Sequence, residues 1–215
     1  ANAIFQKHIL EYRKNSFFLF FDKSSVIIIL AGILVARYIL PFDEHTLFVI
    51  LFFSAYILFF FVAQGKWPEE LEKPYVFLIP APTSQKLLYA TLTENIKNIL
   101  DGALLFSIAG FIYKGNPVVV IFCIISYIMF GAIYIYVDIV SRRLFGKTHK
   151  KVLNLFAKFF VSLFVIIPGI VLMIVSYIST ESEIIAAGVV AMWNILAAGA
   201  MFISARGVFS NIEID

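Results

Sequence analysis

Three histidines, one cysteine and a glycine-lysine-threonine run are the residues of this 215-residue chain best suited to bind metal, act as a nucleophile or hold phosphate. His8, His45 and His149 fall on three different segments, and no HExxH or other paired metal-ligand spacing accompanies them. Cys123 lies alone inside an apolar block, so there is no disulfide framework. Gly146-Lys147-Thr148 matches the end of a phosphate-binding loop, but the leading glycine that loop needs would fall at Ser141. Arg142, Arg143 and Leu144 are too bulky for a glycine-rich cradle, so the segment reads as a basic loop facing anionic lipid headgroups. No nucleophile–base pair is evident. The chain is therefore expected not to be an enzyme, to bind no metal or cofactor of its own, and to have no nucleic-acid partner.

The remaining chemistry sits inside apolar segments, where polar residues point to function. Tyr127, Gly131, Tyr134 and Asp138 recur at helical spacing on one face, as residues lining a substrate path or a subunit interface would. A packing role is equally physical: glycine permits close approach, tyrosines anchor at interfaces, and Asp138 can pair with Arg142 one turn on. Asp101 lies one turn after Lys97, which predicts a local ion pair. Arg37 and Lys158 are expected to snorkel outward and inward. Ala187, Ala191, Asn194, Ala198 and Ala205 share a small-residue face, so Ala191 and Ala198 are expected in a close helix contact within the bundle or at a dimer seam. Pro168-Gly169 marks a kink or break.

These residues have to be positioned by membrane helices. Apolar residues make up 61% of the chain and charged ones 14%, against about 45–50% and about 25% in soluble domains. The fold class is all-α and polytopic. Six spans are predicted at 25–40, 46–64, 96–113, 117–140, 155–178 and 184–205, the first and third short for a bilayer. Residues 1–23 carry Lys7, Glu11 and Lys14 on one helical face and Phe5, Ile9 and Tyr12 on another, predicting an interfacial helix ahead of a membrane domain over 24–215. Basic residues gather before the first span, in the 65–97 connection, in 141–151 and at Arg206. Asp43, Glu44, Glu181 and Glu183 lie in the alternate connections. By the positive-inside rule both termini and both longer loops are cytoplasmic.

The 65–97 connection is the longest interruption between apolar blocks. Trp67-Pro68-Glu69-Glu70 reads as a helix start. Pro74, Pro80 and Pro82 fence and stiffen a greasy run over 75–79, and Thr83 or Ser84 offers an N-cap for a helix continuing into the third span. Such apolar surface needs a cover: the membrane, the bundle's own end, or another protein.

A surface helix, six spans and a large cytoplasmic connection after the second resemble the permease subunit of an ABC-2-type exporter. Residues 70–92, ELEKPYVFLIPAPTSQKLLYATL, are similar to that family's acid, apolar run, proline and Lys-Leu-Leu helix, most like the ABC exporters of Firmicutes. The resemblance implies a bacterial cytoplasmic-membrane permease driven by a separate ATPase subunit that binds the ATP. It also implies a second permease half, either another copy or a fused or heterologous one. The connection would hold the coupling helix, with Tyr75, Phe77, Leu87 and Leu88 touching the ATPase and Glu70 and Lys86 at the rim. Many relatives carry re-entrant helices in the last extracellular connection, for which 179–183 is too short. An ion-coupled carrier and a non-transporting membrane scaffold are the alternatives.

Overall fold

The computed structural model describes residues 2–15, 22–39, 45–63, 80–145 and 151–212. Seven helices fill them: α1 (Asn2–Asn15), α2 (Lys23–Ile39), α3 (Thr46–Ala63), α4 (Thr83–Ile112), α5 (Pro117–Phe145), α6 (Lys151–Thr180) and α7 (Glu183–Ile212). No strand occurs among the described residues. Helices α3 to α7 are long and apolar enough to cross a membrane. The chain is thus a polytopic membrane protein, all-helical and with five such helices among the described residues. The expected first span corresponds to α2, whose 17 residues extend only about 26 Å, short of the roughly 30 Å hydrocarbon core.

Side-chain contacts fix the alternation of the helices. At one end, Lys97 of α4 meets Asp22 at the start of α2, and Lys158 near the start of α6 meets the carbonyl of Ala63 at the end of α3. At the other, His45 before α3 meets Glu183 at the start of α7 and Tyr177 near the end of α6. The first is the basic end, which carries Lys97 and Lys158.

Helix α5 is the axis. It packs against α3, α4, α6 and α7, most extensively against α7. From Phe130 to Ile139 every side chain is buried, so this stretch is covered on all sides. That follows from its composition, because a helix apolar all round belongs in a core. Within lipid, burial from water cannot be the force that joins spans; close packing is. Hence α7 meets the bundle with small residues, and Ala187, Ala191, Asn194, Ala198 and Ala205 are all buried. Gly199 faces open space.

Helix α4 begins where Pro82, extended at ψ 146°, stops the preceding chain. The Pro82 carbonyl accepts from the Gln85 and Lys86 amides. The cap position falls on Pro82 with no side-chain cap bond, so neither Thr83 nor Ser84 fills the expected N-cap role. From there α4 runs 30 residues without a break. The turn into α5 uses Lys114 at φ 49° and Asn116, whose side-chain oxygen accepts from the Val118 amide ahead of Pro117 at the first helical position.

Helix α6 also runs unbroken, with Pro168 inside it. The proline removes one rung of the ladder. The Trp193 indole of α7 donates to the Val165 carbonyl at 3.0 Å, one turn before Pro168. A methyl group at Gly169 would collide with Cδ1 of the same indole and lie 2.9 Å from its Cγ, so glycine lets α7 press onto the proline turn. Helices α6 and α7 are separated by only Glu181 and Ser182, and no re-entrant element lies between them.

Candidate functional site

The polar stripe of α5, expected to act as one face, meets three different surroundings. Tyr127 and Gly131 face α4. A Cβ built on Gly102 of α4 would lie 2.7 Å from the Tyr127 ring, and one built on Gly131 would lie 2.7 Å from Asn98 Cγ of α4. Each helix thus offers a glycine to the other's large polar side chain, one turn apart on both (98/102 and 127/131). Asp101 lies on this side of α4, completely buried. Neither of its carboxylate oxygens has a hydrogen-bond partner, and neither do the Tyr127 hydroxyl and the Asn98 amide nitrogen. The expected Lys97–Asp101 pair does not form. Lys97 instead reaches Asp22 at 2.8 Å.

Tyr134 lines a cavity of about 220 Å³ between α3, α5 and α6. Its ring stacks on Phe130 with centroids 6.4 Å apart and meets Phe59 edge-on at 5.4 Å. Asp138, a further turn toward the basic end, pairs with Lys158 of α6 at 2.5 Å, and both side chains are buried. Asp138 thus makes a bridge between helices, and Lys158 is no snorkelling lysine; the Arg142 side chain, its expected partner, lies outside the described residues. Lys158 also donates to the Ala63 carbonyl at 3.4 Å, placing its charge at the negative end of α3.

The middle of α4 is clamped. Asp22 caps α2 by accepting from the Ser25 amide at 3.0 Å through Oδ1, while Oδ2 takes the Lys97 ammonium. Partial burial works to raise the Asp22 pKa. The Lys97 and Ser24 hydrogen bonds and the Lys97 charge outweigh it and hold the carboxyl below its ordinary value. Helix α1 packs on α4 and buries His8, whose ring nitrogen meets the Thr93 hydroxyl at 3.3 Å. Phe5 and Ile9, the expected membrane face, are half-buried.

The candidate docking residues separate. Glu70, Tyr75 and Phe77 lie outside the described residues. Leu87 is completely buried in the chain's own core and Lys86 is buried beside it, so neither has a surface to offer a partner in this arrangement. Leu88 is 46% exposed. Beside the foot of α4 a notch of about 440 Å³ is lined by Pro82, Thr83 and Ser84 with Ile203, Arg206 and Gly207 of α7. At the far end His45 lies between Glu183 and Tyr177, at 3.2 and 3.3 Å, tying α3, α6 and α7 together. Sequence reasoning missed this cluster and the Trp193 contact, since neither has a local spacing that marks it. Among the described residues no cluster of His, Cys, Asp and Glu could hold a metal ion.

A model of the family described as "Putative ABC exporter" matches residues 1–213. No curated protein and no solved structure matches the chain.

Proposed function

The chain belongs to this ABC exporter family, and on that premise we propose that it is the permease subunit of an ABC-2-type exporter. ATP is bound and hydrolysed by a separate nucleotide-binding subunit, and this chain is neither an enzyme nor the holder of a cofactor. A transport role and an ATPase partner in general come with the family; the permease role, the ABC-2 arrangement and the kinship with Firmicutes exporters are our reading. The observation that carries it is α4. Thirty unbroken residues extend about 45 Å, about 15 Å more than the bilayer core. A displacement applied at its foot therefore travels into the membrane with no hinge to absorb it.

In this reading α2 is the sixth span, its short length made up by flanking interfacial residues. The basic end is cytoplasmic and carries both termini, in the cytoplasmic membrane of a bacterium. Cysteines introduced at Asp43, Asn116 and Ser182 then label with an impermeant thiol reagent from outside, and ones at Lys73 and Thr148 do not. The buried Cys123 leaves little background. A second permease half completes the path. A second reading, the ion-coupled carrier, draws on Asp101, the kind of buried carboxylate such a carrier requires.

The docking surface is assigned to Leu88 and the notch beside it, with Glu70, Tyr75 and Phe77 on the approach. The test is affinity purification in mild detergent with its ATPase. Leu88→Asp is expected to leave yield and thermal stability unchanged and to abolish ATPase co-purification, whereas Leu87→Asp is expected to fail to fold. A folded Leu88→Asp, Tyr75→Ala variant that still binds and stimulates the ATPase would refute the docking assignment. If the unaltered protein brings down no ATPase and transports on an ion gradient alone, with Asp101→Asn inactive, the carrier reading replaces it.

A further inference from the structure

The cavity beside Tyr134 has a composition and a shape that select an occupant. Helices α3 and α6 both pack along α5. Between them the Phe59 and Phe159 rings meet at 5.5 Å, and Lys158 reaches Ala63 at the basic end. Above this floor lies the space of about 220 Å³, walled by Phe52, Tyr56, Phe59, Phe130, Tyr134 and Phe159. Tyr56 stands at its mouth, 52% exposed on the outside of a membrane-spanning helix. The mouth thus opens sideways, toward the hydrocarbon that surrounds the bundle.

Among the described residues no charged side chain lines the cavity. The nearest ionic group, the Asp138–Lys158 bridge, is internally neutralised beneath the floor. Ser162, a lining residue, donates its hydroxyl to the Lys158 carbonyl at 2.8 Å and so presents no donor proton to the cavity. This lining is complementary to an uncharged occupant and offers no ionic partner to the phosphate or ammonium of a polar solute. A dry cavity of about 150 Å³ accommodates the six carbons of benzene, so at the same density this one holds about nine. That is the length of half an ordinary acyl chain, and flat aromatic walls suit a flexible chain sliding between them.

We propose that the α3–α6 cleft is a binding site for a single hydrocarbon chain of a bilayer lipid, entering past Tyr56 with its headgroup left outside. The inference rests on the bundle being embedded in the membrane and not on the ATP-driven reading, and its test uses no nucleotide. The purified full chain is reconstituted in nanodiscs of phospholipid carrying a diazirine near the acyl terminus, irradiated, and mapped by peptide mass spectrometry. Adducts on Phe130, Tyr134 or Phe159 are expected, and they should be competed by unlabelled phospholipid less readily than adducts on Phe164, which is 85% exposed to the surrounding lipid. Native mass spectrometry from detergent should then show one retained lipid per chain. Ala55→Phe and Leu163→Trp, which fill the cleft, should lose at least nine-tenths of it, while Phe164→Trp keeps it. Adducts confined to outward residues overturn the proposal. So does equal lipid retention in a folded filling variant, and the wild-type mapping decides the matter where both filling variants fail to fold.

Discussion

Replacing Gly131 with alanine tests the reciprocal glycine seam between α4 and α5. The new methyl carbon would lie 2.7 Å from Asn98 Cγ and 3.3 Å from its Cβ, against an ordinary carbon contact of about 3.5–4.0 Å. The Asn98 amide must move by about 1 Å. Rotation alone does not suffice, because its Cβ is also too near, and the residue is buried on a helix packed directly against α5. Overpacking of this kind costs about 1–3 kcal/mol, offset by up to about 1 kcal/mol for the better helix propensity of alanine. A net loss of about 1–2 kcal/mol lowers the melting temperature by about 2–8 °C in a chain of this size. The reporter is already present: Cys123, the lone cysteine, is buried on α5 and reacts with a fluorogenic thiol dye only when the bundle opens. Asn98→Ala removes an amide nitrogen that has no partner, so it should be nearly neutral alone. Combined with Gly131→Ala it should restore most of the loss. If Gly131→Ala melts at the wild-type temperature, or loses as much with Asn98→Ala as without it, the seam does not have this structure.

The Asp138–Lys158 bridge should behave as a buried pair. Lys158→Met, which takes the ammonium away from a buried carboxylate, should destabilise by up to about 3–5 kcal/mol, while Lys158→Met with Asp138→Leu should recover toward wild type in the same melting assay. On α7, Ala191→Leu and Ala198→Leu should each lose about 1–3 kcal/mol by overpacking, and Gly199→Ala, with open space at its Cβ, should lose nothing. The Asp22 pKa is lowered on folding, so the stability it contributes is fully present above its unfolded value of 3.8 and lost as the pH falls through the depressed folded value. Asp22→Asn keeps the cap but not the charge, so its melting deficit should be constant between about pH 5 and 8 and close only in stronger acid.

What could be read in the sequence was what local spacing encodes. The long apolar blocks, the proline before α4 and the absence of any breaker until Gly102 were enough to place the helices and to join the connection to the third span. The failures share one cause: a partner chosen by helix rotation leaves no local trace. Only the i, i+4 neighbour is visible along a sequence, so Asp101 is matched with Lys97 and nothing local points Asp138 to Lys158. The partners seen in the fold, Lys158 for Asp138 and Asp22 for Lys97, come from distant parts of the chain. Consecutive residues on a helix point about 100° apart, and the fold turns Leu87 inward while Leu88 stays partly exposed. In α1 the aromatic and aliphatic residues suggested the buried face, yet it is His8 that is sealed, because Thr93 supplies the hydrogen bond that lets a polar ring enter.

Under the proposed function these details link the foot of α4 to the cleft. A displacement at the foot is not borne by α4 alone, since His8 ties it to α1 and Lys97 ties it to the cap of α2. Higher up, α4 and α5 interlock through Gly102 and Gly131 without room for another methyl group, so α4 cannot shift past α5 without carrying it or unseating Tyr127 and Asn98. Packed interfaces of this kind switch between arrangements rather than yield gradually. Phe130 and Tyr134 lie within one turn of Gly131 and form the α5 wall of the cleft. Any movement that α4 imposes on α5 therefore changes the cleft's width. The floor resists it, because the Asp138–Lys158 bridge and the Phe59–Phe159 contact pin α5, α6 and α3 at the basic end. The cleft is consequently most free to open or close at its mouth, beside Tyr56, where a chain from the bilayer would enter or leave.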